Sequence, residues 1–249
     1  MLPITSLFDS GSSEIERDDE GEEKQTRNPQ SSENFPFTSY EATEPPTLLT
    51  LPAEIRLEIL KHLLILPSDA PPPSTNAYYH YGQPSLPSQL HPAILRANRQ
   101  LHAEGLPLLY RCNTFLAHNM LLTLLPRLRR AYGPVLSEQL ANLIQRFHIC
   151  VRLDAEPGYN REKATAQLTG KEEVVLEAWQ AMWRGSGPDV LRLFEGVRGV
   201  RRAKVLGSIG GFEDYAKWLE HAMMCEVGTK VEPFFWDAGR EAVPSWALG

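Results

Sequence analysis

The side chains best suited to chemistry in this chain are seven histidines, three cysteines and a serine set among glycines. Each needs particular neighbours before it can act. A zinc site read from sequence needs closely spaced ligands, such as HExxH or paired CxxC. Cys112, Cys150 and Cys225 are far apart and odd in number, with no CxxC, so neither a zinc finger nor a disulfide framework follows. His62 stands beside Lys61, His80 and His91 fall in a loop, and His102 and His118 are too distant for a local pair. No metal and no cofactor are expected. Gly207-Ser208-Ile209-Gly210-Gly211 follows a candidate strand but lacks the GxSxG spacing that lifts a nucleophile on a strained elbow. GxGxxG and GxxxxGK[ST] are absent too, so these glycines read as a turn. Glu172, Glu173 and Glu177 read as ordinary carboxylates at the start and exposed face of a helix. No nucleophile, base and orienter can be named together, and the chain is expected not to be an enzyme.

With no catalytic set, function falls to surfaces, and the elements decide which surfaces exist. A helix is expected over residues 52–66. Pro52 suits a first turn, and Glu54 sits near the positive end of the dipole. Its apolar residues make two rows, Ile55-Ile59-Leu63 and Leu57-Leu60-Leu64. One row seats a helix on its own domain, whereas two mean cover on more than one side, from the same chain or from a partner. Pro67 stops the helix, and residues 67–91 read as a long Pro-rich loop with Tyr78, Tyr79 and Tyr81. Pro92 opens a second helix, ended or kinked at Gly105 and Pro107, before a short strand at 113–116. Residues 119–125 read as helical, and Arg127, Arg129 and Arg130 beyond Pro126 form a basic spot. Then come a helix at 137–145, a strand at 147–153 and a polar loop at 154–170. A helix is expected at 171–184, with Val174, Val175, Ala178 and Met182 inward, and another at 188–195. A strand at 200–206, a glycine turn and a helix at 212–224 follow, the last burying Tyr215, Trp218, Leu219 and Ala222. Strands separated by helical crossovers tend to be parallel, so a small curved α/β layer is expected. No fixed repeat period supports a regular solenoid.

Charge is unevenly spread. Residues 1–47 hold eleven acidic and three basic side chains, while the remainder holds 20 acidic and 22 basic. The first segment cannot bury enough apolar surface to offset its chain entropy, so a disordered acidic tail is expected. The nearly neutral remainder argues against a nucleic-acid partner. No apolar run reaches the length of a membrane span and no signal-type leader is visible, so the cytoplasm, the nucleus or both are expected.

One pair of motifs points further. Leu51-Pro52-x-Glu54-Ile55-x-x-x-Ile59-Leu60-x-x-Leu63 is followed by Ile94-Leu95-Arg96-Ala97-Asn98-Arg99-Gln100-Leu101-His102-Ala103-Glu104. Leu106-Pro107-Leu108-Leu109-Tyr110 and Asn113-Thr114-Phe115 come next. This order, LPxEIRxxIxxxLL then ILRxxRQLxxEGxPxLYxxNTF, resembles the F-box-like proteins abundant in filamentous fungi, over residues 48–116. The resemblance implies a substrate-recruiting subunit of a cullin–RING (SCF-type) ubiquitin ligase. Its first helix would bind a Skp-type adaptor protein through Leu51, Pro52, Ile55, Ile59, Leu60 and Leu63, divided between core and adaptor surface. The rest of the chain would hold an unknown protein substrate. Two features depart from that pattern. Residues 67–91 insert a loop where a tight connection is usual, and Ala97-Asn98-Arg99-Gln100-Leu101 replaces a Cys-Lys/Arg-x-Trp element.

The expected fold is thus α+β and mostly helical. It comprises a tail (1–47), an N-terminal F-box-like helical module with its Pro/Tyr-rich insert (48–116), an α/β region (117–228) and an irregular C-terminal tail (229–249). An alternative function is a protein-interaction module with an F-box-like core and no ligase link. A third, an enzyme or nucleic-acid binder, would need a deep pocket with shifted titratable groups or a continuous stripe of Arg127, Arg130, Arg201 and Arg202.

Overall fold

A computed structural model of the chain describes residues 47–67, 90–129, 132–180 and 187–236. The acidic tail to residue 46, the tyrosines of the insert, Arg130, Met182 and Trp246 lie outside the described residues.

Helix α1 spans Ala53–Leu64. Pro52 stands just before it, and its carbonyl accepts the Arg56 N–H, so the proline's missing donor is never needed. The expected second helix divides in two. Pro92–Arg96 forms a 3₁₀ turn, and the Asn98 side chain then accepts the Gln100 N–H to cap α2, Arg99–Cys112, afresh. Pro107 does not end α2 but lies inside it.

Strand β1, Thr114–His118, turns back into β2, Leu122–Arg127. The expected helix over 119–125 is therefore a turn and a strand. That apolar run pairs antiparallel with β1, and periodicity alone does not separate a short apolar helix from a buried strand. Helix α3, Glu138–Leu143, is capped by Ser137 and leads into β3, Arg146–Arg152. The expected loop after β3 contains α4, Arg161–Leu168, begun by Asn160, whose side chain accepts the Lys163 N–H.

Next comes β4, Glu173–Trp179, where a helix was expected. Val174, Leu176 and Ala178 are buried and alternate with less buried residues, which is the period of a strand. The 3₁₀ turn Leu191–Phe194 stands where a longer helix was expected, and β5, Arg202–Gly207, and α5, Glu213–Met224, follow. Tyr215, Leu219 and Ala222 are buried in α5 as expected, with Trp218 half-buried beside them.

The sheet order is β2-β1-β3-β4-β5, with β1, β3, β4 and β5 parallel and β2 antiparallel at one edge. This α/β architecture overturns the expectation of a mostly helical chain led by a separate F-box-like helical module. Leu60, Leu64, Leu101, Leu109 and Tyr110 from α1 and α2 belong to the same apolar cluster as Phe147, Leu176 and Leu219. No described helix is long and apolar enough to cross a membrane.

Alternation divides the sheet into two faces. Phe115, Phe147, Ile149, Val151, Val174, Leu176 and Val205 line the apolar one. For parallel neighbours in consecutive order, the right-handed crossover rule would put the connections on a single side. The opposite face carries Arg146, His148, Cys150 and Arg152 on β3, Glu173, Glu177 and Trp179 on β4, and Arg202 and Lys204 on β5.

Candidate functional site

The two apolar rows of α1 have separate fates. Leu60 and Leu64 are wholly buried, and Leu57 is half-buried. Along the other row, Ile55 is 52 % exposed, and Ile59 and Leu63 are half-buried. Leu51 is half-buried and Pro52 exposed, while Leu49 just upstream is also exposed. Of the six residues singled out from the resemblance, Leu60 belongs to the interior. Leu51, Pro52, Ile55, Ile59 and Leu63 retain accessible surface.

Three features of the second motif hold this surface in place. The buried Arg56 guanidinium donates from Nε to Glu104 Oε2 at 2.6 Å and from Nη2 to Oε1 at 2.7 Å. It also donates to the Leu51 carbonyl at 2.8 Å, fastening the turn before α1 to α2. The Glu104 carboxyl is held down at about 2 by its hydrogen bonds from Arg56 and then Gln100, against the opposing effect of burial. The buried Asn113 side chain joins the other ends of the helices. Its amide donates to the Leu64 and Leu109 carbonyls at 2.7 and 2.9 Å, and its oxygen accepts the Leu66 N–H at 2.8 Å. Gly105 lets the helices approach, since a Cβ there would lie 2.5 Å from Leu95 Cδ2 and 2.8 Å from Leu64 Cδ1. Glu104, Gly105, Leu109, Tyr110, Asn113 and Phe115 are thus framework, and the Ile55 row is what that framework presents.

The polar face of the sheet gathers residues that the sequence reading kept apart. His148 Nε2 lies 2.6 Å from Glu177 Oε2, and both groups are close to Cys150 on the same face. His148-x-Cys150 in a strand is the signal that places two of them side by side. Glu177, an ordinary exposed carboxylate if its segment is a helix, comes beside them because the segment is a strand paired with β3. Burial, with the Glu177 charge nearby, pushes the Cys150 thiol up to about 12, so it is protonated at neutral pH and a poor nucleophile. Around this cluster, Arg146 pairs with Glu172, Arg202 with Glu173, and Arg152 lies over the Trp179 ring at 5.5 Å.

Two further groupings lack the arrangement their chemistry would need. Cys225 Sγ is 3.8 Å from His221 Nε2 beside a groove next to α5. However, Cys225 caps the C-terminus of α5, where the helix dipole disfavours a thiolate. The arginine stripe is also divided. Arg127 lies on β2 at one sheet edge, and Arg202 on β5 at the other, with Arg201 and Arg202 facing Glu172 and Glu173.

Comparison with known proteins adds no relative: no family model, curated protein or solved structure matches the chain.

Proposed function

We propose that the chain is a non-enzymatic, substrate-recruiting subunit of a cullin–RING ubiquitin ligase, binding a Skp-type adaptor through the outer row of α1. The observation that carries this reading is the exposure of Ile55 in a helix that is already seated by the wholly buried Leu60 and Leu64. Leu60 and Leu64 already seat α1 on its own core, Leu63 packs against that core only in part, and Ile55, Ile59 and Leu63 all keep surface that a partner could cover. Burying each of these against a partner contributes up to about 1.5–3 kcal/mol, and a few such residues make a hot spot. Leu51 and Pro52 extend the patch at the start of α1, held by Arg56. Leu60 contributes to the core alone. The substrate would bind the part of the chain beyond residue 116, whose polar sheet face offers both signs of charge.

The test is complex formation with a purified fungal Skp-type adaptor, followed by size exclusion with light scattering. The parent chain is expected to elute as a 1:1 complex. Ile55→Asp changes an exposed side chain and is expected to remain folded and elute separately. A folded parent that elutes apart from the adaptor overturns the ligase reading and favours an interaction module without a ligase link.

A further inference from the structure

We propose that His148, Cys150 and Glu177 form a zinc site on the polar face of the sheet. The reading is independent of adaptor binding and rests on what β3 and β4 bring together. His148 and Cys150 are two residues apart on β3 and so share a face. Glu177 stands directly opposite Cys150 on β4, in a parallel register that pairs Arg146–Arg152 with Glu173–Trp179 throughout. One donor atom from each residue lies within 4.8 Å of the other two. His148 and Cys150 are each only 4 % exposed, so this is not a loose cluster of surface groups.

The donor set selects the ion. A sulfur, an imidazole nitrogen and a carboxylate oxygen are the ligand types zinc accepts together, whereas calcium and magnesium favour oxygen shells. Bond lengths of about 2.0–2.3 Å in a tetrahedral site put ligand atoms roughly 3.3–3.7 Å apart. The His148–Glu177 contact would open by about 1 Å at most, with the ion replacing the proton between them. Binding also displaces the Cys150 thiol proton. Three protein ligands leave a fourth position for water or a donor from a partner. The ion would cross-link the two central strands of the face that surrounds it.

The experiment uses the full chain, stripped with chelator, dialysed and titrated with cobalt(II) as an optical substitute for zinc. One ion per chain is expected, with a thiolate-to-metal absorption band that zinc abolishes by displacement. Zinc is expected to raise the melting temperature. Cys225→Ser should keep the band, and Cys150→Ser should lose both the band and the thermal shift. A folded parent without a thiolate band, or a band that survives Cys150→Ser or vanishes with Cys225→Ser, overturns the proposal. Should Cys150→Ser fail to fold, Glu177→Gln serves instead, keeping the side-chain volume. It is expected to weaken zinc uptake tenfold or more, and unchanged uptake would also overturn the site.

Discussion

Glu104 and Arg56 hold the start of α1 against α2, and their pairing makes that junction sensitive to acid. A glutamate in an unfolded chain titrates near about 4.3, whereas Glu104 in the folded chain titrates at about 2. Its stabilising effect is complete above the unfolded value and is lost as pH falls through the folded one. Urea unfolding at pH 7, 4 and 2.5 is expected to show the parent losing its advantage over Glu104→Gln in acid. An advantage independent of pH would contradict this role. Asn113→Ala removes two buried hydrogen bonds and one part-buried one, and leaves the Leu64 and Leu109 carbonyls and the Leu66 N–H without that partner. A loss of about 3 kcal/mol in urea unfolding is expected. All these residues were legible in sequence as members of a motif. What they do was not, because Arg56 and Glu104 are 48 residues apart and Asn113 reaches back by a similar distance. The zinc ligands were hidden for a different reason: no spacing rule joins Cys150 to Glu177 until both are known to be on neighbouring strands.

Helix α1 is where pattern and structure agree most closely. Its two rows are visible as two apolar periods, and the structure buries Leu60 and Leu64 of one row while it leaves Ile55 of the other exposed. Leu64→Ala is expected to cost about 2–5 kcal/mol, because it opens a cavity against Leu95, Gly105 and their neighbours. Ile55→Asp, on the outer row, is expected to stay within about 0.5 kcal/mol of the parent. Equal losses in chemical denaturation would contradict the division. Strand β4 marks the limit of such reasoning. Glu173-Val174-Val175-Leu176-Glu177-Ala178 contains good helix formers, and an apolar face can be drawn at helical spacing. Pairing with β3 on one side and β5 on the other decides the matter, and those partners are remote in sequence. In β1, β3, β5 and α5 the local pattern matches the tertiary demand, and there the sequence reading located the element.

At the scale of the molecule, α1 and α2 share one apolar cluster with the sheet, rather than standing as a module before it. One cooperative unfolding transition is therefore expected. The five tryptophans all lie at residue 179 or beyond, so their fluorescence follows the C-terminal half, whereas far-UV circular dichroism also follows α1 and α2. Coincident urea midpoints by the two probes are expected, and separated midpoints would restore an independent N-terminal unit. On the proposed reading the adaptor would take the Ile55 row and the substrate the polar sheet face with Arg202. Calorimetric titration of a Skp-type adaptor into the parent, Ile55→Asp and Arg202→Glu chains tests their division most directly. A dissociation constant of about 1 μM or tighter is expected for the parent and for Arg202→Glu, with binding at least about tenfold weaker for Ile55→Asp. A folded parent that gives no binding, or an Ile55→Asp chain that binds like the parent, would contradict it.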